Sequence, residues 1–307
     1  MTKISDKQLG LIESINSLKK ERNAVVLVHN YQRPEIYEVA DFIGDSLGLC
    51  IEASKTEADR IVFCGVNFMA ETAKILNPEK EVLIPHLDAG CAMAEMIDAE
   101  ALERFKAKHP GVPVVCYVNS TAEVKAVSTI CCTSANAVEM VRSLDSDKVI
   151  FVPDHNLASY VASQVPEKEI IAWQGYCPVH HFIGKDYVEE IRKEHPNAKI
   201  IAHPEAKPEV VAMADYTAST SGMIKCAIED PASEFFVLTE CGMAERLRRE
   251  VPGKEFFGLC NMCFDMKKNT LESVLESLEN CTTVVEVDEK VALKARDAID
   301  RMIAVTK

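Results

Sequence analysis

Three cysteines stand at one repeated interval: Cys91 in "DAGCAMAEM", Cys177 in "GYCPVHHF" and Cys263 in "CNMCFDMKK", 86 residues apart each time. A thiolate is a soft ligand, and one thiolate from each of three equal intervals is what a shared metal group would impose. Two further sets accompany them. His29 and Tyr31, Tyr117 and Asn119, and His203 and Glu205 are polar pairs two residues apart; imidazole, phenol and carboxylate are groups that move protons. Ser46, Ser134 and Thr220 are hydroxyls that precede or open helical patterns, where free backbone N–H groups can grip an anion.

These residues need elements to hold them. Short β-branched and aromatic runs alternate with helix-length amphipathic stretches, the pattern of a parallel α/β protein. Strands are expected at 25–29, 61–65, 82–85, 112–118, 148–153, 169–173, 198–203, 234–239, 255–259 and 283–287. The starts 25, 61 and 82 recur 87 residues later at 112, 148 and 169, and again 86 residues later at 198, 234 and 255. The spacing predicts three pseudo-equivalent three-layer αβα domains with parallel sheets around a pseudo-threefold axis. Their expected extents are 1–107 with an N-terminal helix, 108–194, and 195–307 with a C-terminal strand and helix. Each polar pair then ends the first strand of its unit, with both side chains on one side. Each cysteine follows the third.

Ligands of open α/β sheets bind beyond the carboxyl ends of the strands, so three units facing one axis would gather all three sets at the centre. Three thiolates suit three corners of a [4Fe–4S] cluster, which leaves one open iron as a Lewis acid toward a substrate oxygen. Other readings compete. Buried cysteines are commonly plain hydrophobes, and Cys50, Cys64, Cys226, Cys281 and the vicinal pair Cys131–Cys132 are read that way. Cys260 and Cys263 form a CxxC, but no second CxxC completes a zinc ribbon. Only one of His180 and His181 is expected to face a site, and Glu71 is either a solvated helix residue or a support for the site. Two rival functions are an iron–sulfur electron carrier or iron sensor, favoured by a fourth cysteine ligand, and a zinc-dependent hydrolase built on His29, His203 and Glu205.

Composition narrows the partners. A net charge of −14 argues against nucleic-acid and anionic-membrane surfaces, so an anionic substrate must be held by local devices. The apolar runs are strand-sized, too short to span a bilayer. The N-terminal 23 residues read as a charged amphipathic helix, not a signal peptide. Twelve cysteines then belong to a reducing compartment, and the expected location is cytoplasmic.

The motifs "VLVHNYQRPEI", "DFIGDSLGL", "GVNFMAETAKIL", "DAGCAMAEM", "YVNS", "CCTSANA", "GYCPVHHF", "AHPE", "STSGMI" and "CFDMKKNTL" together resemble the quinolinate synthases. The resemblance runs from residue 27 to 271. It implies condensation of iminoaspartate (iminosuccinate) with dihydroxyacetone phosphate to quinolinate, with loss of phosphate and water, in de novo NAD synthesis. It also implies a functional link to an L-aspartate-oxidising enzyme. Carried over residue by residue, Cys91, Cys177 and Cys263 would hold the [4Fe–4S] cluster. Iminoaspartate would be contacted by His29, Ser46, Tyr117, Val118, Asn119, Ser134, His203, Pro204, Glu205 and Thr220. Tyr31, His180 and Glu205 would be candidates for the proton transfers. Ala206 departs from the family pattern, where many members carry a cysteine; no assigned role depends on it.

Overall fold

The computed structural model describes residues 4–306. Within them lie three four-stranded sheets, every neighbouring pair parallel. The first sheet holds β1 (Ala24–His29), β2 (Phe42–Gly44), β3 (Arg60–Cys64) and β4 (Glu81–Leu83). The second holds β5 (Val114–Tyr117), β6 (Ile130–Cys132), β7 (Lys148–Val152) and β8 (Glu169–Ala172). The third holds β9 (Lys199–Ala202), β10 (Tyr216–Thr217), β11 (Glu234–Leu238) and β12 (Glu255–Gly258). All three have one strand order, β2-β1-β3-β4, β6-β5-β7-β8 and β10-β9-β11-β12. Central strands such as β1 and β3 bury consecutive residues, Val26 to Val28 and Ile61 to Cys64, because helices cover both faces. The architecture is the α/β arrangement of three αβα units read from the sequence.

The triplication is also written in hydrogen bonds. Asp41 sends its N–H to the carbonyl of Val26 and accepts the N–H of Val26 on its carboxylate. Asp215 does the same to Ile200, and Thr129 to Val114 with its hydroxyl oxygen as the acceptor, each across 15 residues. These clasps set the register: 26, 114 and 200 are equivalent, so the first interval is 88 and the second 86. The 87 read from the strand pattern is thereby corrected. From the start of the last strand to the cysteine there are 10 residues in the first unit (81 to 91) but 8 in the others (169 to 177, 255 to 263). Two extra residues therefore sit in the loop that carries Cys91.

Two other expectations change. Each sheet has a short fourth strand, β2, β6 or β10, of two or three residues. The expected strand at 283–287 is absent: Val284 makes one isolated antiparallel bridge to Leu83, and Val284 and Val285 pack into neighbouring cores instead of laddering. The segments after Cys263 also leave the third unit. Helix Leu271–Asn280 shares a core with Ile15 of helix Asp6–Glu21 and with β1. Helix Glu289–Thr306 buries Ala295, Ala298, Ile299 and Met302 in the core of the second unit. The N-terminal helix begins with a Ser5–Gln8 capping box; residues 1–3 of its expected span lie outside the described residues. Among those residues no helix is long and apolar enough to cross a membrane.

Candidate active site

The carboxyl ends of all three sheets open on one cavity, partly open to solvent, with about 80 Å3 of room inside it. Cys91, Cys177 and Cys263 line it together with His29, Tyr31, Tyr117, Asn119, His203 and Glu205 from the strand tips. Ser46, Ser134, Thr220 and His180 complete the expected set. Two of the carried-over residues do not line it. The Val118 side chain is buried in the second core and its N–H goes to the carbonyl of Cys132. Pro204, between His203 and Glu205, is likewise outside the lining.

The hydroxyls sit where backbone donors are free. Ser46 and Thr220 are the first residues of helices Ser46–Lys55 and Thr220–Glu229, and the residue before each, Asp45 or Ser219, caps the first turn. Ser134 lies three residues before helix Ala137–Ser143, in a loop where Thr133 accepts the N–H of Ala135. Thr220 Oγ1 accepts from Asn30 Nδ2 at 2.8 Å, which leaves its own proton for donation. Among the described residues no Lys or Arg lines the cavity. Lys267 stands behind it, paired with Glu240 at 3.1 Å and bound to the carbonyl of Tyr31.

The strand tips fix their imidazoles in one way. The N–H of Tyr31 donates to His29 Nδ1 at 3.2 Å, and the N–H of Glu205 donates to His203 Nδ1 at 3.4 Å. Both rings therefore carry their proton on Nε2. Burial, reinforced by Lys267, lowers His29 to about 3. Burial likewise lowers His203 to about 3, so both are neutral at ordinary pH. Burial and then Glu205 push the phenols of Tyr31 and Tyr117 well above their usual value, which keeps them protonated.

Glu205 and His180 form the most enclosed pair. His180 Nδ1 lies 2.6 Å from Glu205 Oε2 and 3.3 Å from the sulfur of Cys177. Burial works against ionising Glu205, but His180 outweighs it, with a hydrogen bond from Tyr117 beside it, and the group is held as a carboxylate. On the other side of the ring, His180 Nε2 lies 2.8 Å from Thr239 Oγ1, which is 2.6 Å from the Tyr31 hydroxyl. A hydrogen-bonded line thus runs Tyr31–Thr239–His180–Glu205. Sequence reasoning did not find Thr239; nothing marks a lone threonine after a strand except its place beside Glu240. His181 faces away, against Tyr176 and Asn156. Glu71 is neither solvated nor at the site: it accepts the N–H of Ala122 at 2.9 Å and so joins the first unit to the second.

The three thiols are a donor set compatible with a metal group. Burial raises Cys91 to about 12, lifts Cys177 well above its usual range and raises Cys263; Cys177 is raised further by the charges of Glu205 and the other two cysteines. Thiols that resist ionisation together become thiolates when cations lie among them. Sulfurs sharing one tetrahedral zinc stand about 3.8 Å apart, but these three do not all lie within 4.8 Å of one another. One zinc held by all three would need them closer together. Among the described residues the group of close potential ligands is Cys177, His180 and Glu205, not His29, His203 and Glu205. Its 2.6 Å contact is a hydrogen bond, shorter than two ligands of one zinc stand apart. Two unpartnered buried oxygens, Glu205 Oε1 and Asn119 Oδ1, belong to cavity-lining residues. Cys260 is exposed and outside the lining, so no fourth thiol is offered.

Three parallel sheets that meet over buried titratable groups, hydroxyls and three thiols define an α/β enzyme with a thiol-lined centre. The family model described as quinolinate synthetase A protein matches residues 13–304. Similar proteins are a quinolinate synthase of Alkaliphilus metalliredigens, 54% identical over 97% of this chain and 99% of that protein, and one of Pelobacter propionicus, 55% identical over 97% and 99%. Quinolinate synthase 1 of Methanosarcina acetivorans is 53% identical over 97% and 98%. The chain belongs to the quinolinate synthetase A family.

Proposed function

We infer that this enzyme makes quinolinate for NAD synthesis by condensing iminoaspartate with dihydroxyacetone phosphate, releasing phosphate and water. The observation that carries the reading is the meeting, in one cavity, of one cysteine, one strand-tip pair and one hydroxyl from each unit. Ser46, Ser134 and Thr220, with the Nε2–H of His29 and of His203, would hold the carboxylates of the dianion. Tyr31 and Tyr117, kept protonated, serve as donors. Glu205, kept ionised, accepts protons, and His180 and Thr239 link it to Tyr31. Cys91, Cys177 and Cys263 would hold the [4Fe–4S] cluster. When bound, that cluster supplies an iron without a protein ligand, a Lewis acid toward a substrate oxygen. The reactive imine would have to come from an enzyme that oxidises L-aspartate.

The test is metal and sulfide analysis beside product assay on protein purified without oxygen. About four irons and four labile sulfides per chain are expected, with quinolinate formed from the two substrates. Air should remove cluster and activity together. Stoichiometric zinc without sulfide in active protein overturns the cluster.

A further inference from the structure

The three cysteine loops are stitched to the sheets by one repeated bond. The N–H of Asn67, His155 and Cys241 each donates to the carbonyl two residues before the cysteine, Ala89, Gly175 and Asn261, at 2.8 Å every time. This makes 66, 154 and 240 equivalent positions. They hold Val66, Asp154 and Glu240.

The two acids use both carboxylate oxygens alike. Asp154 takes the N–H of Leu157, in the helix that follows, on one oxygen at 2.7 Å. On the other it takes the N–H of Cys177 itself at 3.1 Å. Glu240 takes the N–H of Gly242 at 2.7 Å and the N–H of Cys263 itself at 3.2 Å. Both side chains are buried, and Glu240 is further held by Lys267. A buried carboxyl oxygen that accepts a cysteine's own amide fixes the backbone from which the sulfur projects. The first unit does without an acid. Its Asn67 side chain instead donates to the carbonyl of Leu87, inside the loop that is two residues longer.

We propose that Asp154 and Glu240 are a pseudo-symmetric pair of positioning residues that hold the backbone of Cys177 and Cys263 for the metal cluster. They restrain these two corners, and the corner at Cys91 relies on Asn67 and its longer loop. The proposal rests on the three-cysteine reading of the centre.

The test uses cluster-loaded protein prepared without oxygen and follows iron release to a ferrous chelator. Asp154→Asn and Glu240→Gln keep the shape but turn an NH2 group toward one of the two amides. Each should speed iron release about tenfold or more, the usual cost of losing a partner behind a metal ligand. Glu71→Gln, a partly buried carboxylate that holds the amide of Ala122 and of no cysteine, should release iron at the wild-type rate. Glu240→Gln should also raise the cluster's reduction potential, because a negative charge beside it is lost; a merely structural residue would not move it. Wild-type release from both clamp variants overturns the proposal, and so does equal acceleration in Glu71→Gln. Wild-type protein without iron and sulfide would instead remove the three-cysteine reading on which it rests.

Discussion

The cysteine loops and the strand tips occupy the same three units, yet they have aged differently. Each loop presents the same atom at the same place, tied by the same 2.8 Å backbone bond. The tips present His29 with Tyr31, Tyr117 with Asn119, and His203 with Glu205, three different chemistries on one backbone frame. A centre that must bind one group from three sides keeps its anchors alike. A reaction that must take protons at one point and give them at another needs its three sides unlike. The units therefore diverged at their strand tips and kept the cysteine and its 2.8 Å loop bond, although the first loop is two residues longer and has no acid clamp.

The sharpest way to break this contrast is to remove anchors. Cys91→Ala, Cys177→Ala and Cys263→Ala should each abolish cluster and product alike, whereas Cys260→Ala, at an exposed thiol outside the cavity, should keep both. Iron content and quinolinate formation measure this. A Cys91→Ala variant that kept its iron would end the equivalence of the three loops.

Tips should fail one at a time. Glu205→Gln is expected to lower turnover by about 10²-fold, the scale of a general base, with iron content unchanged. His29→Ala should reduce activity and spare iron. Loss of iron in either would put the tips among the anchors.

A smaller effect belongs to the hydroxyls. Thr220→Ala and Ser134→Ala should each weaken a bound dicarboxylate about tenfold, the worth of a hydrogen bond to a charged group. Titration calorimetry with a non-reacting dicarboxylate reads it, and unchanged affinity in both would remove them from substrate binding.

The smallest contrast lies in acid. His29 and His203 are lowered from 6.5 to about 3 in the fold, while the tip of the second unit has no histidine. Unfolding frees both rings to bind protons, so stability is lost as pH falls from 6.5 toward 3 and is untouched above that window. The slope is at most about 1.4 kcal/mol per pH unit per ring. Urea unfolding of the cluster-free chain near pH 7 and near pH 5 should show it, and His203→Asn should make the dependence shallower. An equal slope in that variant contradicts a neutral buried His203.

The sequence shows the anchors more readily than their fastenings. Nine strands are legible because each falls in an apolar run that recurs at the spacing of the units. β2, β6 and β10 are not, because they are two or three residues long and are defined by pairing with β1, β5 and β9. The run at 283–287 misleads because β-branched residues serve a packed cover as well as a ladder. The cavity residues are visible through their spacing. Thr239 and Asn30 are not, because each acts by orienting another side chain. Asp154 and Glu240 could have been found: each follows the second long strand of its unit and they stand 86 residues apart.

The two helices after Cys263 also have a consequence for synthesis. Leu271, Val274 and Leu278 close the core around Ile15 and β1, and Met302 closes the core around β7. A ribosome delivers the N-terminal unit first, but the helix that finishes it arrives on the order of ten seconds or more later. The first unit cannot complete its packing until that helix has been made. A chain cut short before helix Glu289–Thr306 would lose the cover of its middle unit, not a dispensable tail.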